Sequence, residues 1–93
     1  MKKISIHVIV HGKVQGVFFR DGTQKQAVAL NIDGWVKNNS NNTVELKASG
    51  EPEKIQQLIE WLHHGPPRAV VTQVEWHEID EITDQGFVVK HYK

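Results

Sequence analysis

Apolar and polar residues alternate from the start of the chain. Ile4, Ile6, Val8 and Val10 are interleaved with Ser5, His7, Ile9 and His11, the period of a strand with one buried face. From about Asp21 to Asn31 the pattern gives way to a helix-forming composition of Gln24, Lys25, Gln26, Ala27, Ala29 and Leu30. Asn31 or Gly34 can close that helix in a left-handed conformation. Trp35 to Asn38 and Thr43 to Ala48 predict a hairpin around Asn39-Ser40-Asn41-Asn42, because Asn tolerates positive φ and bonds its own backbone. Val44, Leu46 and Ala48 should face the core, and Thr43, Glu45 and Lys47 should face out.

The spacing predicts a second helix over Glu51 to His64. Pro52 sits where a missing N–H costs least, Glu51 and Glu53 lie at the positive end of the dipole, and Ile55, Leu58, Ile59 and Leu62 form one stripe. Gly65, Pro66 and Pro67 stop it. Ala69 to Ile79 is β-prone but its phase slips, which implies a bulge, and Phe87 to Tyr92 reads as a short last strand. Strand, helix, strand, strand, helix, strand is the order of an α+β, ferredoxin-like split βαβ plan, with two helices on one face of an antiparallel sheet. The 93 residues suit one domain, 1–93. That fold hosts many functions and names none.

Composition narrows the field. There is no Cys, which removes disulfides, thiolate metal sites and a Cys nucleophile. Lys plus Arg equals Asp plus Glu at 11 each, so no basic excess points to nucleic acid or an anionic membrane. No apolar run approaches the roughly 20 residues of a membrane span. The opening Met-Lys-Lys-Ile-Ser leads into a strand broken by polar residues, unlike a signal peptide, so the expected location is the cytoplasm.

Candidate chemistry concentrates at Gly12-Lys-Val-Gln-Gly-Val-Phe-Phe-Arg20, between the first strand and the first helix. A glycine-bearing turn there can aim backbone N–H groups at one point, the helix N-terminus adds free donors, and Arg20 adds a planar fork suited to phosphate or carboxylate. Two readings stand on these residues alone: an oxyanion cradle, or an ordinary turn with Arg20 paired to a carboxylate such as Asp21. Asn38 is similarly divided between orienting a water and merely opening the Asn-rich turn. His7 and His11 are too far apart on a strand, about 13 Å, to share one ion, and no metal site is expected. The aromatics do not follow the strand placement of an RNA-recognition sheet, and the acids from Glu75 to Asp84 read as a solvated face.

Together the cradle and Asn38 resemble the acylphosphatase family. Gly12 to Arg20 match its signature G-x-V-Q-G-V-x-[FY]-R, and Gly34 to Asn38 match the second, G-[FYW]-V-[KR]-N, with Val44 and Gly50 in step. Asn42 stands where the family has Gly, and the last strand is looser than the usual ending. The resemblance implies metal-free, cofactor-free hydrolysis of carboxyl-phosphate anhydrides such as acetyl phosphate, carbamoyl phosphate or 1,3-bisphosphoglycerate. It implies backbone N–H groups of Gln15, Gly16, Val17, Phe18, Phe19 and Arg20 on the phosphate, the Arg20 guanidinium beside them, and Asn38 on the attacking water. The partner is then a small-molecule acyl phosphate, with no nucleic acid or membrane, and the chain is expected to be a monomer. The rival is a non-catalytic module of the same fold, a small-anion sensor or an RNA-binding domain.

Overall fold

The computed structural model describes residues 2–90. Its elements are β1 (Ile4–Lys13), α1 (Phe19–Ala29), β2 (Asp33–Asn38), β3 (Val44–Gly50), α2 (Pro52–His64), β4 (Val70–Ile79) and β5 (Phe87–Lys90). The sheet runs β4-β1-β3-β2-β5. β1 pairs antiparallel with β3 and β4, and β2 pairs antiparallel with β3, which gives the expected ferredoxin-like core. β5 lies parallel to β2 at the sheet edge, a pairing the alternation pattern did not reveal. It is drawn there by polar contacts of the backbone: the Gly34 N–H donates to the Gly86 carbonyl at 2.8 Å, and the Gly86 N–H donates to Asp33 Oδ1 at 2.9 Å. The predicted end of the last strand, up to Tyr92, lies outside the described residues.

The inward rows of the strands are Ile6, Val8 and Val10 on β1, Val36 on β2, and Val44, Leu46 and Ala48 on β3, all without solvent exposure. Ile55, Leu58, Ile59 and Leu62 of α2 close over this face, as their stripe predicts. Each such aliphatic side chain contributes about 1.5–3 kcal/mol on burial. Phe19 and Ala27 carry α1 onto the same core, and the Phe19 ring meets Trp61 of α2 at 5.6 Å between centroids. The predicted bulge is present: β1 and β4 shift register between His11 and Gly12, so that Gln73 pairs with His11 and Val71 with Gly12.

Two expectations need correction. Thr43 was placed on the outer face, but it is buried. Its hydroxyl donates to Asn41 Oδ1 at 2.6 Å and accepts from the Asn39 amide at 3.1 Å, so hairpin bonds satisfy the polar group and its burial costs little. The first helix was expected from about Asp21, with Phe18 and Phe19 in the loop. It begins at Phe19, which is a core residue, so Arg20 stands in the first helical turn. Asn31 and Asn42 take the left-handed conformations their chemistry allows, at φ 56° and 72°.

Gly34 is where glycine is required. Its φ is +142°, and a Cβ there would stand 1.9 Å from the Lys47 carbonyl oxygen on β3. Any side chain would force β2 off β3. Close pairing at Gly34 keeps the ladder in register down to its last pair, Asn38 with Val44. Strand alternation then puts Asn38 on the same side as Val36, toward the helices and the loop before α1.

Candidate active site

The loop from Val14 to Phe18 reverses the chain between β1 and α1 and builds one wall of the site. Val14 and Val17 are buried and anchor the loop in the core. Gly16 has φ +74° and Phe18 has φ +65°, with ordinary backbone at Val17 between them. Left-handed residues this closely spaced can turn neighbouring N–H groups toward one concavity. Phe18 is the notable member, since a bulky side chain seldom takes this conformation and it costs about 1–3 kcal/mol. Its ring is exposed.

Phe18 is also the N-cap of α1, and no side chain caps that helix. A missing cap forgoes about 1 kcal/mol. Among the described residues, no N–H from Gln15 to Phe19 has a hydrogen-bond acceptor. A strained turn, an uncapped helix and a run of unspent donors all coincide. Local stability has been given up where an anion can be received.

These donors border a pocket of about 470 Å³ lined by Gly16, Phe18, Phe19, Arg20 and Asn38, with Val14, Asp21, Gln24 and Val89 completing the walls. The loop and the hairpin strand, remote in sequence, therefore meet in one cavity. Arg20 is held from behind, its Nη1 donating to the Lys90 carbonyl on β5 at 3.2 Å. Across the pocket, Asn38 Oδ1 is buried and has no hydrogen-bond partner among the described residues. A buried carbonyl oxygen left in that state costs about 1–3 kcal/mol. It is an acceptor awaiting a donor.

Gln15 and Val17 do not line the pocket. Val17 is a core residue, and the Gln15 side chain turns to the hairpin, donating to the Asn39 carbonyl at 2.8 Å and the Thr43 carbonyl at 2.9 Å. Residue-by-residue reasoning missed Gln24 and Val89. Gln24 lies one turn after Arg20 on the same helix face, a signal that was available. Its amide donates to the Phe87 carbonyl at 3.0 Å and ties α1 to β5. Val89 enters through the parallel pairing of β5, for which the sequence carried no signal. Among the described residues, no group of three or more His, Asp or Glu is arranged around a point where a metal ion could sit.

A ferredoxin-like sheet thus carries a glycine-bearing loop and Arg20 on one wall of a pocket and the strand-end carboxamide of Asn38 on another, an arrangement suited to a small oxyanion. Comparison with known proteins makes this specific. The family model for acylphosphatase matches residues 6–89. The chain is similar to an acylphosphatase of Coxiella burnetii strain RSA 493, 57% identical over 74 residues, covering 80% of this chain and 78% of that protein. It is also similar to one from Thermococcus kodakarensis, 43% identical over 91 residues, covering 96% and 98%. Among solved structures, the crystal structure of acylphosphatase from Bacillus subtilis superposes with a TM-score of 0.90 at 32% identity, covering 94% of this chain and 98% of that one. The chain belongs to the acylphosphatase family. It is an enzyme of that family and acts on a small-molecule substrate.

Proposed function

We propose that the enzyme hydrolyses acyl phosphates to a carboxylate and inorganic phosphate, with Arg20 and the loop N–H groups binding the phosphoryl group and Asn38 orienting the water. The reading rests on one observation above the others: Asn38, whose Oδ1 is buried with no hydrogen-bond partner among the described residues, lines the same pocket as Arg20 and the loop residues Gly16, Phe18 and Phe19. The backbone N–H groups of Gln15, Gly16, Val17, Phe18, Phe19 and Arg20 are the proposed phosphate ligands. For Gln15 and Val17 the backbone alone is offered, because their side chains are committed elsewhere.

The chemistry follows from the leaving group. Carboxylates have conjugate-acid pKa values of about 4 to 5, so the bridging oxygen can leave without a general acid. The water oxygen bonds to phosphorus as the bond from phosphorus to that oxygen breaks. The electron pair departs with the carboxylate, and the proton of the water passes to a phosphoryl oxygen. Charge is spread over the equatorial oxygens in a loose transition state, so positioned donors supply the catalysis. Asn38 accepts a hydrogen bond from the water and fixes its lone pair in line. An alkoxide leaving group would need proton or metal assistance that this donor set does not supply, so phosphate monoesters are poor substrates.

The proposal extends to a single-domain, monomeric, cytoplasmic enzyme with neither nucleic-acid nor membrane partners. Balanced charge and the absence of Cys support this, and no helix among the described residues is long and apolar enough to cross a membrane. The test is hydrolysis of benzoyl phosphate by the purified protein before and after EDTA. Turnover that survives chelation is expected. A folded protein with no turnover would leave the anion sensor as the better reading, and loss of turnover reversed by added metal would overturn the metal-free step.

A further inference from the structure

The two halves of the site leave strands that flank β3, since Val10 of β1 and Asn38 of β2 both pair with Val44, but the loop after β1 lies beyond that ladder. Val14 and Val17 bury the loop, but apolar burial is non-directional and sets depth without setting register. Among the described residues, the hydrogen bonds joining residues 14–18 to residues 38–44 are those of one side chain, Gln15, whose Nε2 donates to the carbonyls of Asn39 and Thr43. These carbonyls close the turn that follows Asn38. The Asn39 N–H itself donates to Thr43 O at 2.9 Å, and the Asn42 N–H donates to Asn39 O at 3.2 Å. A carboxamide nitrogen has one donor for each carbonyl, so the pair is fully used. The bonds are directional, part-buried and of ordinary length.

We propose that Gln15 is a positioning residue whose side chain sets the distance and angle between the phosphate loop and Asn38. This rests on the function proposed above, in which the loop holds the phosphoryl group and Asn38 holds the water. The loop carries its own N–H groups and stands next to Arg20, so it can bind phosphate without the latch. In-line attack needs more, because the water must reach the face opposite the leaving oxygen. A misplacement of about 1 Å between reacting groups can cost about 10²-fold in rate. The Gln15 side chain thus acts on turnover through Asn38, and itself touches neither substrate nor water.

Gln15→Met keeps the length and packing of the side chain and removes both donors. Its kcat for benzoyl phosphate is expected to fall by about 10²-fold, while inhibition by inorganic phosphate stays within about threefold of wild type. Combined with Asn38→Ala, it should add little to the loss that Asn38→Ala causes alone, since groups acting as a unit are non-additive. A near-wild-type kcat in Gln15→Met overturns the proposal. So does loss of phosphate binding in step with kcat, which would make Gln15 a part of loop folding, and so do fully additive losses in the double variant. A wild-type protein without turnover would remove the proposed function itself, a different outcome from any of these.

Discussion

Arg20→Lys is expected to lower kcat/KM for benzoyl phosphate by about 10³-fold or more, the range in which an arginine stabilises phosphoryl transfer. The geometry explains why lysine cannot substitute. Arg20 stands in the first turn of α1 with Nη1 anchored to the Lys90 carbonyl, while the residue lines the pocket. A planar guanidinium carries five N–H donors in a fixed fork, so one group can serve both a carbonyl and a phosphoryl group. An ammonium is a single compact charge on a flexible stem. It can satisfy the carbonyl or the phosphoryl group, and it does not fix two oxygens in a plane. The variant should fold normally, because Arg20 is no core residue. Steady-state kinetics on the folded variant decide the matter, and near-wild-type turnover would remove Arg20 from the site.

Asn38→Ala should act on a different quantity. Truncation removes the buried acceptor proposed to hold the water but leaves the loop, the N–H groups and Arg20 in place. A fall in kcat of about 10²–10³-fold is expected, comparable to the loss of one positioned transition-state donor. Inhibition by inorganic phosphate should move little, because that ligand is held by the other wall. The variant should also be no less stable than wild type. Asn38 Oδ1 has no hydrogen-bond partner among the described residues, so removing it breaks no bond found there. Unchanged kcat, or a parallel loss of phosphate affinity, would sink the assignment.

Much of this was legible in the chain, for physical reasons that differ by element. The rows on β1 and the stripe on α2 were plain because one buried face imposes a period of 2 or 3.6. The Gly12–Arg20 segment stood out because glycines between a strand and a helix serve few purposes. The helix start did not. Phe18 adopts a left-handed conformation that Gly or Asn would have advertised and Phe conceals, so α1 was read as beginning two residues late. Three further features were hidden by distance along the chain. The parallel docking of β5, the burial of Thr43 and the turning of Gln15 to the hairpin all depend on partners supplied by the tertiary fold. The pocket itself was half legible: its two motifs could be named, but only the fold shows that alternation along β2 brings Asn38 round to the loop.

In the proposed reaction water, oriented by Asn38, attacks phosphorus while Arg20 and the loop hold the phosphoryl oxygens. Hydrolysis of benzoyl phosphate in ¹⁸O-labelled water, with mass spectrometry of both products, tests it most directly. Label is expected in the inorganic phosphate and not in the benzoate, beyond the background of uncatalysed hydrolysis. Label in the benzoate would mean attack at the carbonyl carbon and would rule out attack at phosphorus.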